Sequence, residues 1–188
     1  MPYTSEIPKL RTLVFCQVTN TEKNNIAHGS GNPSTDGGVP SNSSEWGIFD
    51  CWTGTGSLNP FSKFTISSSG VTVLQEGYYR ISTNILGSIE STSGPIGPIV
   101  GPGPIVFETP HSIVLRFAKN GVMEGPVAGV YIHNQNYIVC NSLQCSHILH
   151  CSQGDVLSVY TASNIQSSPD FVVKAKAGYS ELKVELVN

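Results

Sequence analysis

The stretch Gly70-Val71-Thr72-Val73-Leu74-Gln75-Glu76-Gly77-Tyr78-Tyr79-Arg80-Ile81-Ser82 decides the fold. Its apolar residues fall in two short runs of β-branched and aromatic side chains, each opened by a glycine, and never at helical spacing. That is the mark of two extended segments joined by a turn. Toward the N-terminus the same pattern predicts strands over 63–66, 46–52 and 13–19. Toward the C-terminus it predicts them over 112–119, 127–133, 137–143, 144–151, 156–161, 171–176 and 180–187. Asn120-Gly121 between two such runs is a two-residue hairpin signal, and Gly154-Asp155 marks a second tight turn. Short strands punctuated by Gly, Pro, Asn and Ser predict an all-β chain of two packed antiparallel sheets.

The 188 residues suffice for one domain with a buried core. Only 12% are charged, and the formal net charge is -3. This leaves no clustered Lys and Arg for a phosphate backbone, so nucleic-acid binding is not expected. Lys9 and Arg11 do not make a basic arm of the kind that packages RNA. The opening MPYTSEIPKL has no apolar core of a signal peptide, and no apolar run is long enough to span a bilayer. The expectation is therefore synthesis without a visible signal peptide and no membrane insertion. Five cysteines, an odd number, leave at least one unpaired within a monomer.

Residues 1–12 read as an N-terminal extension and 13–188 as a single domain carrying loop insertions at 28–45 and 91–110. The first loop, HGSGNPSTDGGVPSNSSE, holds almost nothing to bury. The second contains Gly94-Pro95-Ile96-Gly97-Pro98-Ile99-Val100-Gly101-Pro102-Gly103-Pro104, whose glycines miss the strict every-third-residue period of a collagen triple helix. It reads as a stiff polyproline-like loop.

Four blocks in this order resemble the tumour necrosis factor and complement globular-head superfamily. They are Leu13-Val14-Phe15-Cys16-Gln17-Val18-Thr19, Phe64-Thr65-Ile66 through Gly77-Tyr78-Tyr79-Arg80-Ile81-Ser82, Ile113 to Phe117 with Lys119-Asn120-Gly121, and Ile148 to Val159 around Gly154-Asp155. The terminal Gly178-Tyr179-Ser180-Glu181-Leu182-Lys183-Val184 is similar to the family's last strand, which runs through a trimer core. The pairing of Gly70-Val71-Thr72-Val73 with Gly77-Tyr78-Tyr79 looks closer to the viral, phage and spore-surface branch than to vertebrate cytokines. The resemblance implies an antiparallel TNF-like jelly-roll β-sandwich assembled as a homotrimer. Residues 1–12 carry no collagen-like repeat, and the two loop insertions exceed what a compact member of the family needs.

Strands 78–86 and 180–187 carry apolar groups on both faces, and a sandwich hides only one face of each sheet. Tyr79, Ile81, Tyr179 and Leu182 are accordingly the candidate trimer contacts. Cys140, Cys145, His147, His150 and Cys151 cluster in sequence and offer ligands that zinc prefers. Strand alternation would put Cys145, His147 and Cys151 on one face and His150 on the other, without a Cys-x-x-Cys knuckle, so no metal or cofactor is expected. The one variation is His147 repeated about a three-fold axis. Asp36, Glu45 and Asp50 do not form a calcium-loop signature.

Chemistry by a nucleophile has no local signature here: there is no Gly-x-Ser-x-Gly elbow, no His-x-His pair, and Asp50, Asp155 and Asp170 stand apart. An enzyme is not expected, and a metal-dependent jelly-roll enzyme is the least favoured reading. The expected function is a trimeric recognition or structural head, as in a virion or phage spike, a spore-surface protein or a secreted ligand. Its loops would bind a protein or glycan receptor, or a neighbouring coat protein. The alternative is a minor capsid or coat subunit without receptor binding. Either places the chain at a virion surface or outside the cell.

Overall fold

Gly77–Ser91 extends as one 15-residue strand, and the rest of the fold is arranged around it. The computed structural model describes residues 15–19, 24–25, 39–40, 43–50, 52, 63–91, 111–132, 140–163, 171–175 and 178–187. Their strands are β1 (Phe15–Thr19), β2 (Asn24–Asn25), β3 (Gly47–Ile48), β4 (Phe64–Ser67), β5 (Gly70–Val73) and β6 (Gly77–Ser91). They continue as β7 (His111–Lys119), β8 (Val122–Ile132), β9 (Cys140–Cys151), β10 (Val156–Ser163), β11 (Phe171–Ala175) and β12 (Glu181–Val187). A single 3-10 turn, Ser43–Glu45, is the one helical element among the described residues, none of which form a helix able to cross a membrane.

Two six-stranded sheets result. In the first, the order is β1-β12-β6-β11-β2, and β9 lies along the other edge of β6. The second runs β4-β5-β10-β7-β8, with β3 also against β10. Every pairing is antiparallel. The segments 1–12, 28–38, 41–42 and 92–110, which carry the N-terminal extension and most of both loop insertions, lie outside the described residues. The runs 137–143 and 144–151 meet as one strand, described from Cys140 onward, and the hairpin after Gly121 starts β8 at Val122. Among the described residues of the 46–52 run only Gly47–Ile48 is strand; amides of Phe49 and Trp52 donate to Val159 and Ser68 carbonyls at 2.8 and 2.9 Å.

Period-two alternation sends one set of side chains between the sheets. Tyr79, Ile81, Leu149, Leu182 and Val184 face Val71, Phe117, Leu157 and Val159 in one core, and all except the slightly open Leu149 are fully buried. Phe64 and Tyr79 meet edge to face, with centroids 6.0 Å apart. The Tyr79 hydroxyl donates to the Gln75 carbonyl at 2.7 Å, and burial raises its pKa, with Cys151 adding to the effect.

The second face of the second sheet is covered by the chain itself. Trp46 packs on Val114 and Ala162 together with Val39, Met123, Val127 and Tyr160, and its indole nitrogen donates to the Pro40 carbonyl at 3.4 Å. β10 is therefore buried on both faces over most of its length. The excess of apolar faces that argues for self-association thus applies to the first sheet alone.

At one end of the sandwich two turns are tied together by Asp155. Its carboxylate accepts from the Asn120 side-chain amide at 2.8 Å and from the Ser152 amide at 2.9 Å, while Asn120 Oδ1 accepts from the Val156 amide at 2.9 Å. Asn120 and Gly121 both take positive φ, 53° and 78°, as a two-residue hairpin of this hand requires. The hydrogen bonds from Asn120 and Ser152 hold the Asp155 carboxyl below its ordinary 3.8. The stabilisation is present above that ordinary value and is lost as pH falls through the lower folded value. Asp155→Ala should therefore cost about 1 kcal/mol at neutral pH, a low figure because the turn is solvent-exposed. Urea unfolding of both proteins from neutral pH downward should show the difference vanish in strong acid.

Candidate functional site

The outer face of the first sheet is built by the residues that alternate with the core set. On β6 these are Tyr78, Arg80, Ser82 and Asn84; on β9, Ser142, Gln144, Ser146, Ile148 and His150; on β12, Glu181, Lys183, Glu185 and Val187. The register places Tyr78 between His150 and Val187, Arg80 between Ile148 and Glu185, and Asn84 between Gln144 and Glu181. The face is therefore graded along the strands. One end is apolar and aromatic, the middle is charged, and the other end carries hydroxyls, amides and one carboxylate.

At the apolar end Tyr78 is 58% exposed and Ile148 48% exposed. The Tyr78 ring meets the His150 imidazole edge-on, with centroids 5.1 Å apart, and His150 Nε2 lies 3.5 Å from Glu76 Oε1. In the middle Glu185 is reached by Arg80 at 3.7 Å and by Lys183 at 3.3 Å. Such solvent-accessible pairs contribute little to folding but fix the charge pattern of the face.

Of the four expected contact residues, Tyr79, Ile81 and Leu182 are fully buried inside the single chain. The structure assigns these three to the intersheet core, because they share the strand phase of Val184 and Leu149. Tyr179, 66% exposed in the turn before β12, is open to a partner. The residues of the opposite phase, Tyr78, Ile148 and His150, were not anticipated. Arg80 was the available signal: an arginine that cannot sit in a dry core fixes the even-numbered positions of β6 as outward.

The cysteine and histidine cluster is divided as alternation requires. Cys145, His147 and Cys151 share the inner side of β9, and His150 lies outside. His147 is therefore turned away from any axis on the outer face. Its ring instead lies over Gly125 of β8, where an added Cβ would come within 2.7 Å of it. Gly125 has φ of 76° and sits where β8 bulges between Glu124 and Ala128, and its carbonyl accepts from Arg116 Nε at 3.1 Å. At the bulge β8 meets β9 of the other sheet, where the Cys145 thiol also lies 3.9 Å from the Pro126 carbonyl. Burial raises the Cys145 thiol, and burial with the nearby Asp155 charge pushes Cys151 up to about 11, so both resist ionisation at neutral pH. Among the described residues no group of three or more His, Cys, Asp or Glu side chains is placed to hold a metal ion. Glu45 and Asp50 are among them; Asp36 lies outside the described residues.

No protein-family model matches the chain, and no curated protein matches its sequence. Solved structures do match. Eiger TNF from S. frugiperda superposes with a TM-score of 0.55 at 12% identity, covering 95% of this chain and 94% of that one. Murine APRIL at pH 5.0 gives 0.53 at 11% identity, covering 94% of this chain and all of the other. Murine APRIL at pH 8.5 gives 0.51 at 13% identity with the same coverage. The fold is a TNF-type jelly roll. At this identity the likeness extends to strand order and sheet packing, and the side chains on the outer face of this TNF-type jelly roll are its own.

Proposed function

We propose that the chain is a non-enzymatic homotrimeric head that recognises a partner through its exposed surfaces. The observation that carries this reading is the apolar end of the first sheet's outer face, where Tyr78 and Ile148 stand exposed on adjacent paired strands. Large apolar groups grouped on an otherwise polar sheet face mark a surface that is covered in the assembled state. The TNF-type fold supports three-fold closure about that face. Three linked copies would multiply weak contacts to a crowded surface. The partner is a protein or glycan receptor, or a neighbouring coat protein, and the setting is a virion, spore or extracellular surface, in line with the form of the 70–82 block.

Light scattering on the purified chain is expected to give three times the 20.1 kDa chain mass at micromolar concentration. A particle of single-chain mass at millimolar concentration would refute the assembly.

A further inference from the structure

We propose that the outer face of the second sheet carries a docking site for a carboxylate side chain of a protein partner, gripped by Arg116. The face lies across the intersheet core from Tyr78 and Ile148, so closure of the first sheet's outer face leaves it open. Trp46 covers it over Val114 and Ala162. Two residues further along β7 and β10, toward the Asn120-Gly121 hairpin, direct cross-strand pairing sets Ile48, Tyr160 and Arg116 in one row. Ile48 is 38% exposed, and Tyr160 and Arg116 are half-buried. The row thus runs from aliphatic through aromatic to cationic across β3, β10 and β7.

Arg116 is held in place. Its Nε donates to the Gly125 carbonyl at the β8 bulge at 3.1 Å, which leaves the edge formed by the two terminal nitrogens for another acceptor. That edge matches both oxygens of a carboxylate. No carboxylate among the described residues meets it: Glu124, on the same hairpin, is engaged by Lys119 at 3.8 Å. Met123 and Val127 flank the bulge and pack with Tyr160 against the Trp46 patch. Apolar neighbours lower the local dielectric, so an ion pair made here is stronger than one in open water. The Tyr160 hydroxyl lies 4.0 Å from the position a Cβ on Gly121 would take and has no partner among the described residues, which adds a second donor toward the hairpin.

The surroundings select the occupant. A nucleic acid or a sulfated glycan is held by many cations at once, and this chain offers one here against a net charge of -3. A carboxylate delivered from a protein surface, with apolar residues beside it to cover Ile48 and Tyr160, meets every part of the row; arginine and tyrosine are also the side chains that anchor protein interfaces most often. The site deepens the recognition role proposed above by naming the chemistry of the partner, and it rests on that role.

The test is nitrogen-15 NMR on the full chain with two probes, the capped tripeptide leucyl-glutamyl-leucine and its glutaminyl counterpart. Binding is read from the β7 and β10 amides and from the Nε–H signal of Arg116, identified by its loss in Arg116→Gln. The glutamyl peptide should give saturable shifts at millimolar concentration, and the glutaminyl peptide should bind about tenfold more weakly. Arg116→Gln should abolish the difference between them. Arg116→Lys, which keeps the charge but loses the fork, should weaken the glutamyl peptide, and Tyr160→Phe should weaken it about threefold with the thermal midpoint unchanged. An arginine that only ties the bulge would change the midpoint without distinguishing the peptides. No saturable shift, equal binding of both peptides, binding undiminished in Arg116→Gln, or tighter capture of a sulfated oligosaccharide would each overturn the site. Light scattering on the same samples separates the two readings: a trimer that does not discriminate the peptides removes this site alone, and a monomer that does removes the trimer and leaves the site standing.

Discussion

Leu182→Ala is expected to lower the unfolding free energy by about 2–5 kcal/mol, toward the upper end of that range, while leaving the number of chains in the folded particle unchanged. The side chain is fully buried in one chain, among Ile81, Val184 and the facing residues of the second sheet. Its backbone is held on both sides, paired with Val18 of β1 and Thr83 of β6. A strand clamped in two ladders cannot move in to fill the space a leucine vacates, so the cavity persists and its cost adds to the lost transfer energy. Urea unfolding at one fixed protein concentration measures the change, since any assembly makes stability concentration-dependent. The same substitution would abolish association with little effect on the folded chain if Leu182 were a subunit contact. The two outcomes differ in kind, and the buried position requires the first.

This residue also shows which parts of the structure the sequence carried. The strand pattern around Gly70 to Ser82, the Asn120-Gly121 hairpin and the Gly154-Asp155 turn were legible because each is a local signal, set by alternation and by residues that tolerate positive φ. The division of Cys145, His147 and Cys151 from His150 was legible for the same reason. Choosing which phase of β6 faces inward was harder, because Tyr78 and Tyr79 are both aromatic and the polar phase shows only from Arg80, Ser82 and Asn84 onward. What alternation cannot carry is contact between distant segments. Val39 and Pro40 sit in a run that reads as having almost nothing to bury, yet they join Trp46 in covering the second sheet. The β8 bulge was hidden likewise: the pattern predicts a strand only over 127–133, whereas β8 starts at Val122 and bulges at Gly125, where the His147 ring of another sheet approaches the backbone.

Replacing Tyr78 and Ile148 together by serine is expected to turn the proposed trimer into a folded monomer. Both side chains already face water in the single chain, so their removal leaves the intersheet core untouched and shifts monomer stability by no more than about 0.5 kcal/mol. Covering them in the assembly is worth about 1–2 kcal/mol per side chain, allowing for the part of each already shielded. The loss recurs in every copy, so the concentration at which the trimer half-dissociates should rise by about a hundredfold or more. His150 and Glu76 remain in place in this variant, which separates the contribution of the apolar pair from that of the neighbouring ionisable groups. Light scattering across a dilution series reads the mass, and far-ultraviolet circular dichroism on the same samples reads the fold. A double variant that keeps three chains at the concentrations where the parent does so would place the contact on another face, because no other described part of the first sheet's outer surface pairs two exposed large apolar side chains on neighbouring strands.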